Sequence, residues 1–507
     1  MSGRDLFLGI DLGTTSVKAA LVDAYGTPIG QCATEYPLYQ PKPGWAEQSP
    51  LDWWDATAKT VFRLTRQFGV AENQIRGISV SSQAPTCLGV DAGGAPTGHA
   101  LIWMDQRAKG ICENELSGLE DEIRSTCGNR VDPYYFLPKL LWIKKNHPEQ
   151  DRSTWKYLQA NGWIIFCMTG KTSLDVTHLT HMQIYDVFQN CWNEDLIRRL
   201  GLRHDQFPSV CSCSDPVGTL LPQAAARLGL SPGIPVAAGC TDAAAVSLGL
   251  NHNKPGCLFE MSGQSSGIGL ITDRPLKSPV LNLSRGVLSG RWCQKGSMSS
   301  TGGSLRWFRD QIDGRAGDAG AYTQYDDLAA LSAPGSNGVV FLPYLSGERA
   351  PLWDSHACGL FFGLRCETTK GDMIRAILEG AAFGLRTILD CFEPSLLTQR
   401  FLYGAGGGYR SALWAQVKAD VLELPIYVQR QTCDAACIGD AYLAMRMTGF
   451  PVPEPAEGEI EAIYTPDSSV SGRYQQRYEQ YQALYRQTKE LMARNSKFLT
   501  ALEWANN

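Results

Sequence analysis

No uninterrupted apolar run in this 507-residue chain approaches the ~20 residues that cross a bilayer, so no membrane-spanning helix and no membrane partner are expected. Excess positive charge is missing too. A formal net charge of −5 leaves no basic field for nucleic acid or anionic lipid. Paired cysteine motifs are lacking: the 16 cysteines are scattered, and neither Cys211 with Cys213 nor Cys433 with Cys437 has a second pair at zinc-site spacing. Buried free thiols in a reducing compartment are expected instead. Met1–Asp5 leads straight into an apolar strand, without a charged leader, long apolar segment and small-residue cleavage site, which points to the cytoplasm. Gly170-Lys171-Thr172 is no Walker loop, because Ile165 stands where that motif needs glycine. His178 and His181 share a helical face but lack a third ligand, so they read as surface or core histidines.

What is present is 44% hydrophobic and 19% charged residues, an ordinary globular balance in a chain too long for one core. Its most informative stretch is Leu6–Asp23. An apolar strand ends in Asp11, Gly13-Thr14-Thr15-Ser16 turns, and a second apolar strand starts at Val17. In such a turn successive backbone N–H groups face one concavity, a nest for phosphate oxygens. Asp11 is placed to hold a hydrated Mg²⁺ across two phosphates. A second copy begins at Leu258, and placing Gly263 on Gly13 puts Ser265 on Thr15, Ser266 on Ser16 and Asp273 on Asp23. Two such halves imply a duplicated α/β fold clamping one nucleotide.

A helix is expected over Leu51–Phe68, with Trp54, Ala58, Val61 and Leu64 on one face, then a strand over Ile75–Ser79. Gln83 follows at the carboxyl edge of the sheet, where open α/β sheets bind ligands. Leu88–Asp91 and Ala100–Met104 read as a hairpin delivering Trp103, Asp105 and Arg107. These suit a polyhydroxylated substrate, ring on C–H faces and charges on hydroxyls, or else Asp105 and Arg107 form a structural ion pair. Pro235–Asp242 reads as a buried strand ending in an acid, and Asp242 is either a general base or a helix N-cap. Gly302 opens a helix. Gly406 and Gly407 follow a strand and let a planar ligand approach, with Ser411 at the next helix and a helix from Ala441 packing behind them. Arg473–Trp504 reads as a terminal helix pair.

Several stretches together resemble the FGGY carbohydrate kinases of the actin-like ATPase superfamily. They are Asp11–Thr15, Trp45–Gln48, Trp103–Arg107, Lys139–Trp142, Asp242, Phe341–Arg349 and Gly406–Gly408 with Trp414, Gln416 and Asp420. Most specific is Gly359–Leu364 followed by Asp372-Met373 and Ala376–Gly380. The resemblance implies two ribonuclease-H-like domains, 1–250 carrying the sugar site and the base, 251–507 carrying most of the nucleotide site. It implies ATP and Mg²⁺ as cofactors, Asp242 as base, and Gln83, Trp103, Asp105 and Arg107 as sugar contacts. Nucleotide contacts fall on Gly13, Thr14, Thr15, Gly263, Gln264, Ser265, Gly302, Gly406, Gly407 and Ser411. The expected reaction is phosphorylation of a ketopentose such as xylulose, and a homodimer is compatible with it. The chain departs from the family at Ala84-Pro85-Thr86, where xylulose kinases commonly read Met-His-Gly, at Ala243 for their Asn, at Gln264 for Thr, and at Phe136 for a small or hydroxyl residue. These departures also fit a sugar-responsive regulatory protein with weak transfer.

Overall fold

The computed structural model describes residues 5–71, 73–318, 320–430, 434–453 and 460–505. Strand β1 (Leu6–Leu12) is buried on both faces, as a central strand covered by helices on two sides must be. It pairs antiparallel with β2 (Ser16–Asp23), which pairs antiparallel with β3 (Pro28–Glu35). Helix α1 (Pro50–Gln67) lays Trp53, Val61 and Leu64 on this sheet. On the other edge of β1 lies β4 (Ile75–Ser82), in parallel. The expected end at Ser79 is extended because Ser81 and Ser82 find ladder partners on both sides.

The sheet continues through β5 (Pro216–Thr219) and β6 (Pro235–Ala237), in the order β5-β6-β4-β1-β2-β3, with β7 (Cys240–Thr241) also beside β4. The strand expected over Pro235–Asp242 is therefore broken between Ala237 and Cys240. Asp242 is the first residue of helix α2 (Asp242–Gly249) and Thr241 is its N-cap.

The second half repeats the plan with β8 (Leu258–Met261), β9 (Ser266–Thr272), β10 (Asn282–Arg285), β11 (Trp292–Met298), β12 (Leu402–Ala405), β13 (Ile426–Gln429) and β14 (Ile460–Tyr464). Its order is β14-β13-β12-β8-β9-β11-β10; the first six match β5-β6-β4-β1-β2-β3 with the same parallel and antiparallel pairings, and β10 is an added edge strand. The duplication is thus visible as topology. The turn alignment needs one correction. Ile10 pairs with Ala19, which the Gly13-to-Gly263 offset carries to Glu260 with Gly269, but Glu260 pairs with Ile268. The second turn is one residue shorter in register, so Ser265 and Ser266 do not fall on Thr15 and Ser16.

Short helix α3 (Gly302–Trp307) and helix α4 (Ala412–Leu422) serve the second sheet, but α5 (Ala435–Met447) does not sit behind the glycine-rich loop as expected. It crosses to the first sheet. Ala441, Ala444 and Met445 cluster with Phe7 and Val22, and Cys437 with Ala20, because an alanine-rich helix has room only where the opposing backbone is bare. A Cβ on Gly439 would stand 1.9 Å from the Ala245 carbonyl, and one on Gly9 1.9 Å from the Cys437 carbonyl. Two further expectations change. Leu88–Val90 pairs with Lys156–Leu158 and Ala100–Leu101 with Glu47–Gln48, while the expected hairpin persists as bridges of Cys87 with Leu101 and of Val90 with Pro96. The chain's last helix, α6 (Ser468–Ala505), is single, since nothing between Arg473 and Trp504 interrupts helical hydrogen bonding. Among the described residues no helix is long and apolar enough to cross a membrane.

Replacing Gly439 by alanine forces backbone atoms of α5 and α2 apart and should cost about 1–3 kcal/mol, the usual range for overpacking. Gly472→Ala, on an open face of α6, should be neutral or stabilising. Urea midpoints of the two variants check the contrast, and equal midpoints would remove the close-packing argument.

Candidate active site

Asp11 sits one residue from the end of β1, opposite Lys18 on β2 and Ser81 on β4. It is 4% exposed. The Ser81 hydroxyl lies 3.2 Å from Oδ1, and Lys18 Nζ is 3.9 Å from Oδ2. Lys18 is held more closely by Asp434, at 2.6 Å, and Asp434 is itself the N-cap of α5. Burial, then the negative charges of Asp434 and Asp242, push the Asp11 carboxyl up to about 7, against Lys18 and Ser81.

The turn beyond Asp11 is fixed from all sides. The Gly13 N–H donates to the Ser16 carbonyl, the Gln48 amide to the Thr14 carbonyl, and the Trp103 indole to the Thr14 hydroxyl. Tyr36 donates its N–H to the Thr15 carbonyl and its hydroxyl to the Gly13 carbonyl. Among the described residues the N–H groups of Thr14 and Thr15 have no acceptor, which leaves two donors in one concavity.

In the second half, the Gly263 and Gln264 carbonyls take the N–H groups of Gly302 (3.2 Å) and Gly303 (2.9 Å). Turn and helix start are therefore joined. The Gly302 N–H is taken up in this junction, whereas Gln264 and Gly263 remain exposed. The Ser411 hydroxyl caps α4 at the Trp414 N–H and donates to Asp326. Ser262 N–H bonds the Ala405 carbonyl, placing Gly406 and Gly407 beside the second turn, and a Cβ on Gly407 would meet nothing within 4 Å. Between the halves lies a cleft of about 800 Å³ lined by Lys18, Gln31, Gly406, Gly407, Tyr409 and Asp434 among others. That size and its open glycine wall suit a nucleotide.

Asp242 is half-buried at the start of α2, and its Oδ1 accepts the Ala243 N–H at 2.6 Å. Burial raises its carboxyl above the usual range, while Ala243 N–H, Lys295, His178 and Lys18 pull it back. Gln83 is buried, donating to Gln48 at 2.7 Å, and its own carbonyl oxygen has no partner among the described residues. Trp103 packs edge-on to Tyr134 at 6.5 Å, and the Tyr134 hydroxyl donates to the Ala84 carbonyl. Asp105 and Arg107 resolve to the ion pair and not the sugar contact. Arg107 Nε lies 2.9 Å from both Asp105 oxygens, Ala46 N–H takes Oδ2, Glu47 takes Nη2, and Trp45 covers the guanidinium at 3.8 Å. Asp105 is fully buried, so hydroxyls have no access to it.

The residue reading missed Lys18, Asp434, Tyr134 and Lys295. Asp434 could have been found as an acid before an Ala-Ala helix start. Lys295 carries no local signal, because only the folded sheet turns it toward Asp242. His178 and His181 are core histidines, and Cys433 lies outside the described residues.

Models of the FGGY family of carbohydrate kinases match the chain twice, the N-terminal domain over residues 6–249 and the C-terminal domain over 261–448. A glycerol kinase of Gloeobacter violaceus is 31% identical over 458 residues, 87% of this chain and 88% of its own length. A gluconokinase of Bacillus subtilis is 29% identical over 456 residues, 87% of each. The crystal structure of a xyloylose kinase from Brucella ovis superimposes with a TM-score of 0.86 at 30% identity, over 96% of this chain and all (100%) of that one.

Protonation of Asp11 opposes any divalent cation there, because only the carboxylate is a ligand. Below the carboxyl's value of about 7 the apparent cation affinity should fall about tenfold per pH unit, and above it the affinity should level off. Mg²⁺ titrations of ADP release between pH 6 and 8 measure this, and a flat profile would contradict it.

Proposed function

The chain belongs to the FGGY family of carbohydrate kinases, and from that premise we propose that it transfers the γ-phosphoryl group of ATP to a hydroxyl of a ketopentose such as xylulose. One observation carries the reading. Asp11 and Asp242 come off strands on the two sides of β4, with Asp11 opposite Ser81 and Thr241 opposite Ser82. Two strand spacings, about 10 Å, separate those backbones, which leaves room for a phosphoryl group passing between a hydroxyl and a diphosphate.

Adenosine takes the wall of Gly406 and Gly407, and the phosphates reach the free amides of Thr14 and Thr15. Thus residues 251–507 carry the base and ribose end, and 1–250 the sugar and its activating acid. Gly263, Gln264 and Ser265 close over the phosphates from the opposite turn. A Mg²⁺ ion fits Asp11, because Asp11, Asp242 and Asp434 face Lys18 with an excess of negative charge. Bound there, it would neutralise phosphate charge. Asp242 accepts the proton of the attacking hydroxyl. Its raised affinity for protons brings it nearer the working pH, which improves a general base. Trp103 presents a ring face to the sugar, and the buried carbonyl oxygen of Gln83 is an acceptor still without a donor among the described residues.

Lys295 favours a second reading, a carboxylate-bearing sugar acid. It pairs directly with Asn282, so the two share a sheet face, and Asn282 accepts from the Tyr135 hydroxyl beside His181. Its ammonium makes no ion pair among the described residues. One relative is a gluconokinase by name.

ADP release with xylulose, gluconate and glycerol separates these readings. Asp242→Ala should lower kcat by about 10²–10⁴ while leaving ATP binding intact, the range of a lost general base. Normal turnover in that variant would end the assignment, and sugar binding without ADP release on any acceptor would favour the regulatory alternative. Lys295→Met should raise KM for gluconate about tenfold and leave xylulose unaffected, as loss of one charge-assisted contact does. An unchanged gluconate KM would dismiss the sugar acid.

A further inference from the structure

Behind Asp242 lies a buried carboxylate that the transfer reaction does not touch. Asp175 is 2% exposed and accepts four hydrogen bonds. Its Oδ1 takes the Thr177 N–H at 3.0 Å and the Thr177 hydroxyl at 2.5 Å. Its Oδ2 takes Asn161 Nδ2 at 3.0 Å and His178 Nδ1 at 2.7 Å. Two of these partners reach on to the broken strand that delivers the base. The Thr177 hydroxyl oxygen accepts the N–H of Thr241, the residue immediately before Asp242, at 2.9 Å. Asn161 Nδ2 also lies 3.3 Å from the Ala238 carbonyl, at the other end of the break.

A simple helix cap would account for less. Asp175 does cap the 3₁₀ turn Val176–His178, but that uses one oxygen and the Thr177 amide only. The second oxygen, Asn161 and the buried histidine are extra, and both polar arms end on backbone flanking the Ala238-Gly239 gap. That gap has no continuous ladder of its own, since β6 stops at Ala237 and β7 has two residues. Backbone hydrogen bonds hold the gap itself, Ala238 N–H to the Asp215 carbonyl and Gly239 N–H to the Cys213 carbonyl at 3.0 Å each, and the side-chain arms add a second hold at the Thr241 N–H and the Ala238 carbonyl. His178 is fully buried, and its Nε2 has no partner among the described residues. Burial pushes the Asp175 carboxyl up, but His178, Thr177 and Asn161 outweigh it and hold it below the ordinary range.

We propose that Asp175 is a positioning residue for phosphoryl transfer: acting through Thr177 and Asn161, it fixes the strand end that aims Asp242 at the sugar hydroxyl. The proposal rests on Asp242 being the base. Misplacing a catalytic group by an ångström costs up to about a hundredfold in rate with little effect on binding elsewhere.

Thr177→Val removes the hydroxyl at nearly constant volume, and Thr177→Ser retains it. The acceptor is xylulose, or gluconate or glycerol if the wild-type chain turns one of these over faster. Thr177→Val and Asp175→Asn should lower kcat by about tenfold to a hundredfold with KM for ATP within about twofold, and Thr177→Ser should recover wild-type kcat. Full kcat in Thr177→Val overturns the proposal. So does a fall in kcat matched by a rise in KM for ATP and a lower Tm, which marks general damage. Asp242→Ala run beside them separates the two levels: if it also keeps full turnover, the base assignment itself has failed, whereas its loss with an active Thr177→Val refutes only the positioning role.

Discussion

The parallel pairing of β4 with β1 on one side and β7 on the other is the constraint from which the site follows. Ser81 faces both Asp11 and Cys240, and Ser82 faces both Leu12 and Thr241. Two acids on distant parts of the sequence are thereby brought level at one sheet edge. Strands hold such a level better than loops, because every rung is a backbone hydrogen bond. The polar ends of β4 serve this arrangement. Ser81 Oγ stands 2.6 Å from Asp440 and 3.2 Å from Asp11, so β4 also carries a bridge from Asp11 into α5.

That bridge explains why the two halves cannot be treated as separate modules. Helix α5 comes from the second half in sequence but packs on the first sheet, backbone against backbone, at Gly9 and Gly439. Its N-cap, Asp434, holds Lys18, and Asp440 in its middle holds Ser79 and Ser81. The cleft of about 800 Å³, lined from both halves, lies at the same junction.

Elements governed by local rules were legible in the sequence. The Leu6–Asp23 hairpin, α1 and the second hairpin follow from apolar periodicity and turn residues, and both sheets could be anticipated from the repeat. Asp242 was legible as an acid between strand and helix, but not the break before it, since Val236 to Cys240 is uniformly apolar. The fate of Asp105 and Arg107 was not legible either. Residues two apart can face a ligand or each other, and only Glu47, Ala46 and Trp45, distant in sequence, decide it. Ser411 and Gly302 stand at helix starts, where the same unsatisfied N–H groups serve caps and phosphate sites alike, and in the fold Ser411 caps α4 while the Gly302 N–H joins the second turn.

Charge supplies the final step. Lys18 stands between two acids and is closer to Asp434 than to Asp11, so in the free chain it is committed to the helix cap of α5. Asp11 is left with burial and two acidic neighbours, which is why its proton is held so tightly. Because Asp434 also caps the helix that packs on β1 and β4, the lysine opposite Asp11 and the helix that bridges to Ser81 are tied to one another, and the charge beside Asp11 is set by the same contact that fixes the start of α5.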